Sequence, residues 1–279
     1  MIVTARDILG RGGRAAAASA TYLYFLVVLA LPVGWLFLEA FGFGLGTLLA
    51  KIGSPEALHA FRLTGLVTAI AVVVNAVFGT ALAIVLVRHR FPCRALANAL
   101  VDVPFAVSAV VAGLMMVLLY GPDGVLGAFL DSSGVKVLFA LPGIVLATLF
   151  VTFPFVVREV APVLRQAGTE AEEAARTLGA RPMTILFRIT LPTIRWALGY
   201  GVLLTAARSL GEFGAVLLVS GNILGRTQTA PLYVYQAYTD FDLAAAYAVS
   251  IVLIAVALAM VVVLELWKLR RRRVERVRV

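Results

Sequence analysis

The chain has 279 residues and a formal net charge of +9; 62% of the residues are hydrophobic and only 14% are charged. Soluble domains carry about 45–50% apolar and about 25% charged residues, so this composition excludes an ordinary soluble domain and predicts an integral membrane protein. The basic residues fall in a few clusters rather than along one face, which argues against nucleic acid as a partner. A single cysteine, Cys93, excludes an intrachain disulfide and a cysteine-based metal cluster.

Six apolar segments follow one another along the chain, each near or above the roughly 18–20 residues that a helix needs to cross about 30 Å of hydrocarbon. They lie at about 21–41, 64–87, 103–120, 137–157, 193–219 and 243–267. Because polar backbone groups in lipid must pair within their own segment, all six are predicted to be helices. The predicted fold class is an all-α integral membrane protein with six transmembrane helices (21–267), an N-terminal tail (1–20) and a basic C-terminal tail (268–279).

Lysine and arginine are concentrated on one side of these segments. That side holds the N-terminal tail, the loop after the second segment, the loop between the fourth and fifth segments, and the C-terminal tail. The other side holds only Lys51, Arg62, Lys136 and Arg226. Under the positive-inside rule both termini are therefore predicted to be cytoplasmic. The run Arg270–Arg273 is interpreted as a topology anchor, with a patch for lipid or nucleic acid as the alternative.

The loop at 158–192, between the fourth and fifth segments, is polar without being of low complexity. Thr169 and Glu172 have the spacing of a capping box, in which Thr169 caps a helix and the Glu172 carboxylate returns to the backbone N–H of Thr169. Gly179 is placed to end that helix in the left-handed conformation, and Pro182 suits the first turn of a second short helix. The loop is therefore predicted to form two short helices at the membrane surface, before a further proline begins the fifth span.

One face of the first short helix carries small apolar residues at helical spacing, namely Ala171, Ala174, Ala175 and Leu178. Small side chains allow another surface to approach closely, which favours docking of a partner. An amphipathic hairpin that lies on the membrane without a partner is the alternative. This pattern alone leaves both interpretations open.

The same loop reads E-A-A at 173–175, G at 179 and I-T-L-P at 189–192, and in residues and spacing it resembles the EAA loop of bacterial ABC importer permeases. The resemblance implies a type I permease fold in the bacterial plasma (inner) membrane, with a coupling helix that inserts into a separate ATPase subunit. It implies that ATP and Mg²⁺ bind to that ATPase and that no cofactor binds to this chain. The coupling residues that it implies are Glu173, Ala174, Ala175, Gly179, Ile189, Leu191 and Pro192.

A second stretch, from Ala207 to Ile223, resembles the sulfate, thiosulfate and molybdate permeases. Later stretches, which begin at Thr227 and Ala244, resemble the W-type subunit of the sulfate/thiosulfate importer. The resemblance implies import of sulfate or thiosulfate, with molybdate or tungstate as the alternative cargo. The implied partners are a homologous T-type permease, two ATPase subunits, an extracytoplasmic binding protein and membrane lipid. Ala109 stands where these permeases commonly place proline, which predicts that a helix kink in the third span is lost.

Arg208 and Glu212 are charged residues in the middle of the fifth segment, and a spacing of four puts them on one face of a helix. A charge at the bilayer centre costs about 2.5–3.5 kcal/mol, so both are expected to face the bundle interior, a partner or water. They form either a structural ion pair or a pair that lines or gates the anion path. Gly211 and Gly214, beside Glu212, predict close packing or a break in the helix. The further polar candidates for the path are Ser108, Ser220 and Asn222.

The sequence lacks the motifs that nucleotide binding, metal binding or catalysis would need. It contains no G-x-x-x-x-G-K-[ST] nucleotide loop, and His59 and His89 are far apart, with no cluster of other metal ligands near them. We therefore expect no catalytic residue and no metal site, and predict a non-catalytic subunit. A proton-coupled secondary transporter, with Glu212 as the proton carrier, is the alternative from another class, but it would not need the EAA loop.

Overall fold

The computed structural model describes residues 11–277, with side chains described from 16 to 268 except at 128 and 131. Over this range the chain is helical and contains no strand, which confirms the predicted all-α class. In chain order the helices are α1 (Arg11–Phe25, a π turn at Leu26–Ala30, and Leu31–Gly42), α2 (Leu45–Ile52), α3 (Pro55–Arg88), α4 (Arg94–Leu100), α5 (Val103–Ala106), α6 (Ala109–Tyr120), α7 (Gly127–Ser132), α8 (Leu141–Ala167), α9 (Glu170–Thr177), α10 (Pro182–Ile185), α11 (Leu191–Leu210), α12 (Gly214–Ser220), α13 (Ala230–Thr239) and α14 (Leu243–Val277).

Four of these helices, α1, α3, α8 and α14, are long and apolar enough to cross a membrane. The two other predicted spans are not single straight helices. The third is bent by 112° between α5 and α6, and the fifth is bent by 58° between α11 and α12. The chain therefore has six membrane-crossing units only if each bent pair is counted as one span.

The bend in the third span contradicts the prediction that Ala109 would remove a kink. Val107 and Ser108 have extended backbone conformations, with ψ of 132° and 140°, so the chain turns just before Ala109 without a proline. The turn lets α6 pack closely on α12. A Cβ atom built on Gly113 would lie 2.7 Å from the carbonyl oxygen of Ala215, so only glycine allows this approach.

The core of the bundle lies where α3, α8 and α11 pack together. Cβ atoms built on Gly79 of α3 and Gly201 of α11 would both lie 3.0 Å from atoms of Val156 on α8, so small residues bring the three helices close. The Asn75 side chain of α3 donates a hydrogen bond to Thr152 Oγ1 of α8 at 2.8 Å. We attribute the fixed register of these two helices to this buried bond.

The outer helices bury little of their apolar surface. The most apolar window of α1 is only 6% buried and that of α14 is 17% buried, against 56% for α8. Since both outer helices are strongly apolar, the surfaces that they leave uncovered suit lipid or another membrane subunit and not water.

Candidate functional site

The first short helix of the loop, α9, ends as the sequence predicts. Gly179 has φ of +81°, its N–H donates to the Arg176 carbonyl at 2.9 Å, and the Ala180 N–H donates to the Ala175 carbonyl at 3.0 Å. This pair of bonds is the Schellman arrangement that closes a helix C-terminus. A Cβ atom at Gly179 would meet nothing within 4 Å, so the residue is required for its backbone conformation and not for lack of space.

The predicted capping box at the start of α9 is wrong. The Thr169 side chain makes no capping hydrogen bond, and the Glu172 carboxylate is turned away from the helix N-terminus. Glu172 is buried and its carboxylate contacts the Arg88 guanidinium and the Thr190 hydroxyl instead. A guanidinium carries a full positive charge, so it attracts the carboxylate more strongly than a neutral backbone N–H does.

Arg88, the last residue of α3, joins three parts of the structure. Its Nε lies 3.1 Å from Glu172 Oε2, and its two Nη atoms donate to the carbonyl oxygens of Leu164 at 3.0 Å and Gly168 at 2.7 Å. Thr190 Oγ1 donates to Glu172 Oε1 at 3.0 Å from the start of the fifth span. The Arg88 and Glu172 side chains are only 11% and 9% exposed. We call this group the Arg88–Glu172 clamp; it ties α9 rigidly to α3, α8 and the chain that enters α11.

Sequence reasoning missed the clamp because each partner had a satisfactory local explanation. Arg88 counted among the arginines that set topology, and Glu172 fitted a capping box. The available signal was the position of Glu172 on α9: it falls beside the alanine face rather than within it. A residue there can point toward the body of the protein while the alanine face points away.

The alanine face itself is uncovered in the described chain. Ala171 and Ala174 are exposed, Ala175 is half-buried and Leu178 is 87% exposed. Glu173, the first residue of the E-A-A match, is also exposed. The surface predicted to receive a partner is therefore largely uncovered by the rest of the described chain.

The second part of the loop differs from the prediction. Pro182 begins α10 as expected, but α10 continues through a π turn (Leu186–Thr190) into α11 and is not a separate helix. Within that turn the Leu191 N–H donates to the Leu186 carbonyl, a wider spacing than in an α-helix. Pro192 lacks an N–H and would clash with the carbonyl four residues before it, so the wider turn lets the helix continue through the proline. Two of the predicted coupling residues on this continuous helix are half-buried and one is exposed, namely Ile189, Leu191 and Pro192.

The predicted pairing of Arg208 with Glu212 is present: Arg208 Nη1 lies 2.8 Å from Glu212 Oε2. The Glu212 side chain is 1% exposed and that of Arg208 36% exposed, so the carboxylate is fixed in the bundle while the guanidinium reaches its surface. The assumption of one continuous helix is wrong, because α11 ends at Leu210. Glu212 Oε1 accepts the Ala215 N–H at 3.0 Å and so caps α12 on the far side of the break.

The two glycines beside Glu212 have different surroundings. A Cβ atom on Gly214 would lie 3.1 Å from Ala109 Cβ and 3.2 Å from Val110 Cγ2, so this glycine serves helix packing. Gly211 has open space around it and borders a cavity of about 570 Å³. That cavity is apolar and aromatic, and its walls come from α1, the α11–α12 break, α13 and α14, with lining residues that include Leu36, Phe213, Tyr235, Tyr238 and Tyr247.

The three neutral polar candidates are not gathered around this pair. Ser108 is exposed at the turn between α5 and α6. Ser220 is buried and its Oγ accepts the Asn222 N–H at 3.1 Å. The Asn222 amide donates to Gln236 at 2.9 Å and accepts from Gln228 at 3.0 Å. Ser220 and Asn222 therefore hold the loop after α12 in shape.

A further ion pair lies outside the membrane-crossing helices, at the opposite end of the molecule in the predicted topology. Lys51 Nζ of α2 lies 2.5 Å from Asp242 Oδ2, and Asp242 Oδ1 also accepts the Ala245 N–H at the start of α14. The hydrogen bond between them is the main cause that raises the pKa of Lys51 and lowers the pKa of Asp242. The pair ties α2 to α14.

The sequence of this chain is similar to those of known transport proteins. The family model described as "binding-protein-dependent transport system inner membrane component" matches residues 75–273. The sulfate transport system permease protein CysW of Synechocystis is 50% identical over 224 residues, which are 80% of this chain and 81% of that protein. The Escherichia coli K12 CysW is 47% identical over 79% of this chain and 76% of its own. The CysT permease of Salmonella typhimurium is 37% identical over 89% of each.

A solved structure shares the fold. A chain of a bacterial alginate ABC transporter, in complex with an alginate pentasaccharide-bound periplasmic protein, matches with a TM-score of 0.75 over 90% of this chain and 91% of that chain. The sequences are only 19% identical, so this match establishes the architecture alone. It confirms the predicted type I permease fold.

Proposed function

Since this chain belongs to the family of binding-protein-dependent transport system inner membrane components, we propose that it forms half of the membrane pathway of an ATP-driven importer of sulfate or thiosulfate. The cargo is inferred from the 50% identity to a sulfate transport system permease over four-fifths of the chain. The alternative cargo is molybdate or tungstate. A proton-coupled secondary transporter would leave the uncovered alanine face of α9 without a role.

In this proposal the exposed face of α9 docks into a separate ATPase subunit on the cytoplasmic side. A rigid route leads from that face into the bundle. The Arg88–Glu172 clamp joins α9 to the ends of α3 and α8, and the π turn joins α10 directly to α11. A displacement of α9 by the ATPase is therefore transmitted to the three central helices as a rigid-body movement, which is how alternating access is produced in helical transporters.

The partners follow from the same reasoning. The sparsely buried surfaces of α1 and α14 and the cavity of about 570 Å³ need a second membrane subunit or lipid to cover them. We propose a homologous T-type permease as that subunit, because a CysT permease is also a relative at 37% identity. Two ATPase subunits, which bind ATP and Mg²⁺, and an extracytoplasmic binding protein complete the complex, and both termini of this chain are cytoplasmic.

The Arg208–Glu212 pair is proposed to lie on the anion path. The guanidinium is partly exposed and presents fixed donors that suit an oxyanion, whereas the buried Glu212 carboxylate offsets its charge. Partial neutralisation keeps a dianion from binding so tightly that it could not leave. Because Glu212 also caps α12, the pair stays in place when the helices on either side of the break move.

Reconstitution into proteoliposomes with the candidate ATPase, T-type permease and binding protein tests the function. We expect ATPase activity to be stimulated by the binding protein loaded with sulfate or thiosulfate. Stimulation by molybdate but not by sulfate would overturn the assignment of sulfate or thiosulfate as the cargo. Oxyanion uptake that needs a proton gradient and no ATP would overturn the transporter class.

A further inference from the structure

A second cavity, of about 190 Å³, lies between the ends of α8, α11 and α14, close to where α8 leads into the docking loop. It has no part in the transport mechanism proposed above. Its polar and aromatic lining comes from all three helices and consists of Glu159, Trp196, Tyr200, Trp267 and Lys268. Aromatic and basic residues gathered at helix ends mark the interfacial region of a membrane.

Two lining groups make no hydrogen bond among the described residues. Glu159 is half-buried, and its carboxylate has no hydrogen bond and no direct ion pair within the range from 16 to 268; the Lys268 ammonium acts on it only through its charge, from across the cavity. The Trp267 indole N–H is buried without an acceptor. A buried donor without an acceptor destabilises the structure, and a half-buried carboxylate without a hydrogen bond is also poorly solvated. A cation or donor beside Glu159 and an acceptor beside Trp267 would satisfy both groups at once.

The aromatic walls are fixed by the backbone. The rings of Trp196 and Trp267 meet edge to face with centroids 5.1 Å apart. A Cβ atom on Gly199 would lie 2.5 Å from Trp267 Cζ2, so glycine at this position makes room for the indole. Basic groups lie against two of the rings: Arg195 Cζ is 5.5 Å from the Trp196 ring centroid, and Lys268 Nζ is 5.3 Å from that of Tyr200.

We propose that this cavity binds the phosphoethanolamine headgroup of a membrane phospholipid. The primary ammonium donates to the Glu159 carboxylate between the aromatic walls, which favour a cation. The phosphate accepts from the Trp267 N–H and lies near the Lys268 ammonium. The volume of about 190 Å³ suits a small headgroup and not an acyl chain. The acyl chains extend along the apolar outer surface of α14.

The charges separate this headgroup from other common ones. A phosphoglycerol headgroup carries no cation, so its hydroxyl groups donate to Glu159 only as neutral groups while its negative phosphate lies near the carboxylate. A choline headgroup carries a cation, but its methylated nitrogen cannot donate a hydrogen bond to Glu159. Selectivity for ethanolamine over both is therefore expected, and it does not depend on which oxyanion is transported.

Native mass spectrometry of the purified complex tests this site. The complex is incubated with equimolar phosphatidylethanolamine, phosphatidylglycerol and phosphatidylcholine of identical acyl chains. We expect phosphatidylethanolamine to be retained preferentially. Glu159→Gln, which keeps the shape of the side chain, should weaken that retention about tenfold, and Trp267→Phe should weaken it as well. Glu170→Gln, which changes an exposed carboxylate on α9 outside the cavity, is the matched control and should have no effect.

Two results would overturn the proposal. One is equal retention of the three lipids, and the other is a Glu159→Gln variant that retains phosphatidylethanolamine as well as Glu170→Gln does. Thermal unfolding of each variant shows whether it is folded, and Trp267→Phe provides the same test if Glu159→Gln is not. Competition with free phosphoethanolamine distinguishes a lipid from a soluble ligand. We expect millimolar phosphoethanolamine not to displace the bound lipid. Displacement of the lipid at micromolar concentration would show that the site binds the soluble headgroup instead and would overturn the proposal.

Discussion

Glu172→Gln removes one charge from the Arg88–Glu172 clamp while keeping its shape. Both side chains are about nine-tenths buried, and Arg88 also donates to two carbonyl oxygens, so the guanidinium cannot leave its site. Breaking a buried pair in this way costs about 3–5 kcal/mol, because the remaining charge stays buried without compensation. The amide still accepts from Thr190 and from Arg88, so we expect a loss near the lower end, about 3 kcal/mol.

The assay measures the free energy of unfolding of the purified permease in detergent micelles, and Glu170→Gln is the control variant. Glu170 lies on the same helix and is exposed, so its change should stay within about 0.5 kcal/mol of the wild type. The double variant Arg88→Gln with Glu172→Gln leaves no unpaired charge and should recover most of the loss. If Glu172→Gln and Glu170→Gln are equally stable, or if the double variant loses the sum of the two single effects, the clamp does not hold α9.

Three further outcomes follow from the geometry. Gly179→Asp should abolish co-purification of the ATPase without affecting membrane insertion, because φ of +81° costs a residue with a Cβ atom about 1–2 kcal/mol and the end of α9 would shift. Gly225→Asp, at φ of +69° in another loop, is the control. Normal docking of the Gly179 variant would refute the role of this turn. Arg208→Ala should lower oxyanion uptake at least tenfold in an assembled complex while Arg208→Lys retains part of it, and full uptake by the alanine variant would leave the pair a purely structural role. The Lys51–Asp242 pair is more than a third exposed and should contribute no more than about 1 kcal/mol. Since the pKa of Asp242 is lowered, this contribution is full above pH 3.8 and is lost as the pH falls through the lowered value; since the pKa of Lys51 is raised, it is full below pH 10.5 and is lost as the pH rises through the raised value. Thermal unfolding of Asp242→Asn should therefore differ from that of the wild type between pH 3.8 and 10.5 and converge with it in acid.

The sequence predicts features of this protein that depend on short stretches of chain. Apolar length alone places the six membrane-crossing units, since burial in lipid requires it whatever the packing. The left-handed turn at Gly179 and the helix start at Pro182 are set by the backbone preferences of those two residues. The pairing of Arg208 with Glu212 follows from helical spacing and survives the break, because the first turn after Arg208 is still close to helical.

Features that depend on contacts between distant segments cannot be predicted from short stretches of sequence in the same way. Hydropathy does not depend on backbone direction, so the apolar segments that contain the turns at Val107–Ser108 and at Glu212 are predicted as continuous spans. Glu172 satisfies a local capping pattern, yet its partner Arg88 lies 84 residues away. Pro192 begins a helix in most contexts, and only the π turn before it lets the helix continue.

Docking of an ATPase subunit on the exposed face of α9 is the central claim, and disulfide cross-linking tests it most directly. Cys93 is the only cysteine, so a Cys93→Ser background allows a single thiol to be placed by Ala174→Cys on that face. Val125→Cys, at a residue 86% exposed in the loop after α6, is the control. The account predicts that, with cysteines introduced around the groove of the ATPase, the position 174 variant cross-links to that subunit and the position 125 variant does not. Absence of cross-linking from position 174 in a complex that still imports its oxyanion would contradict it.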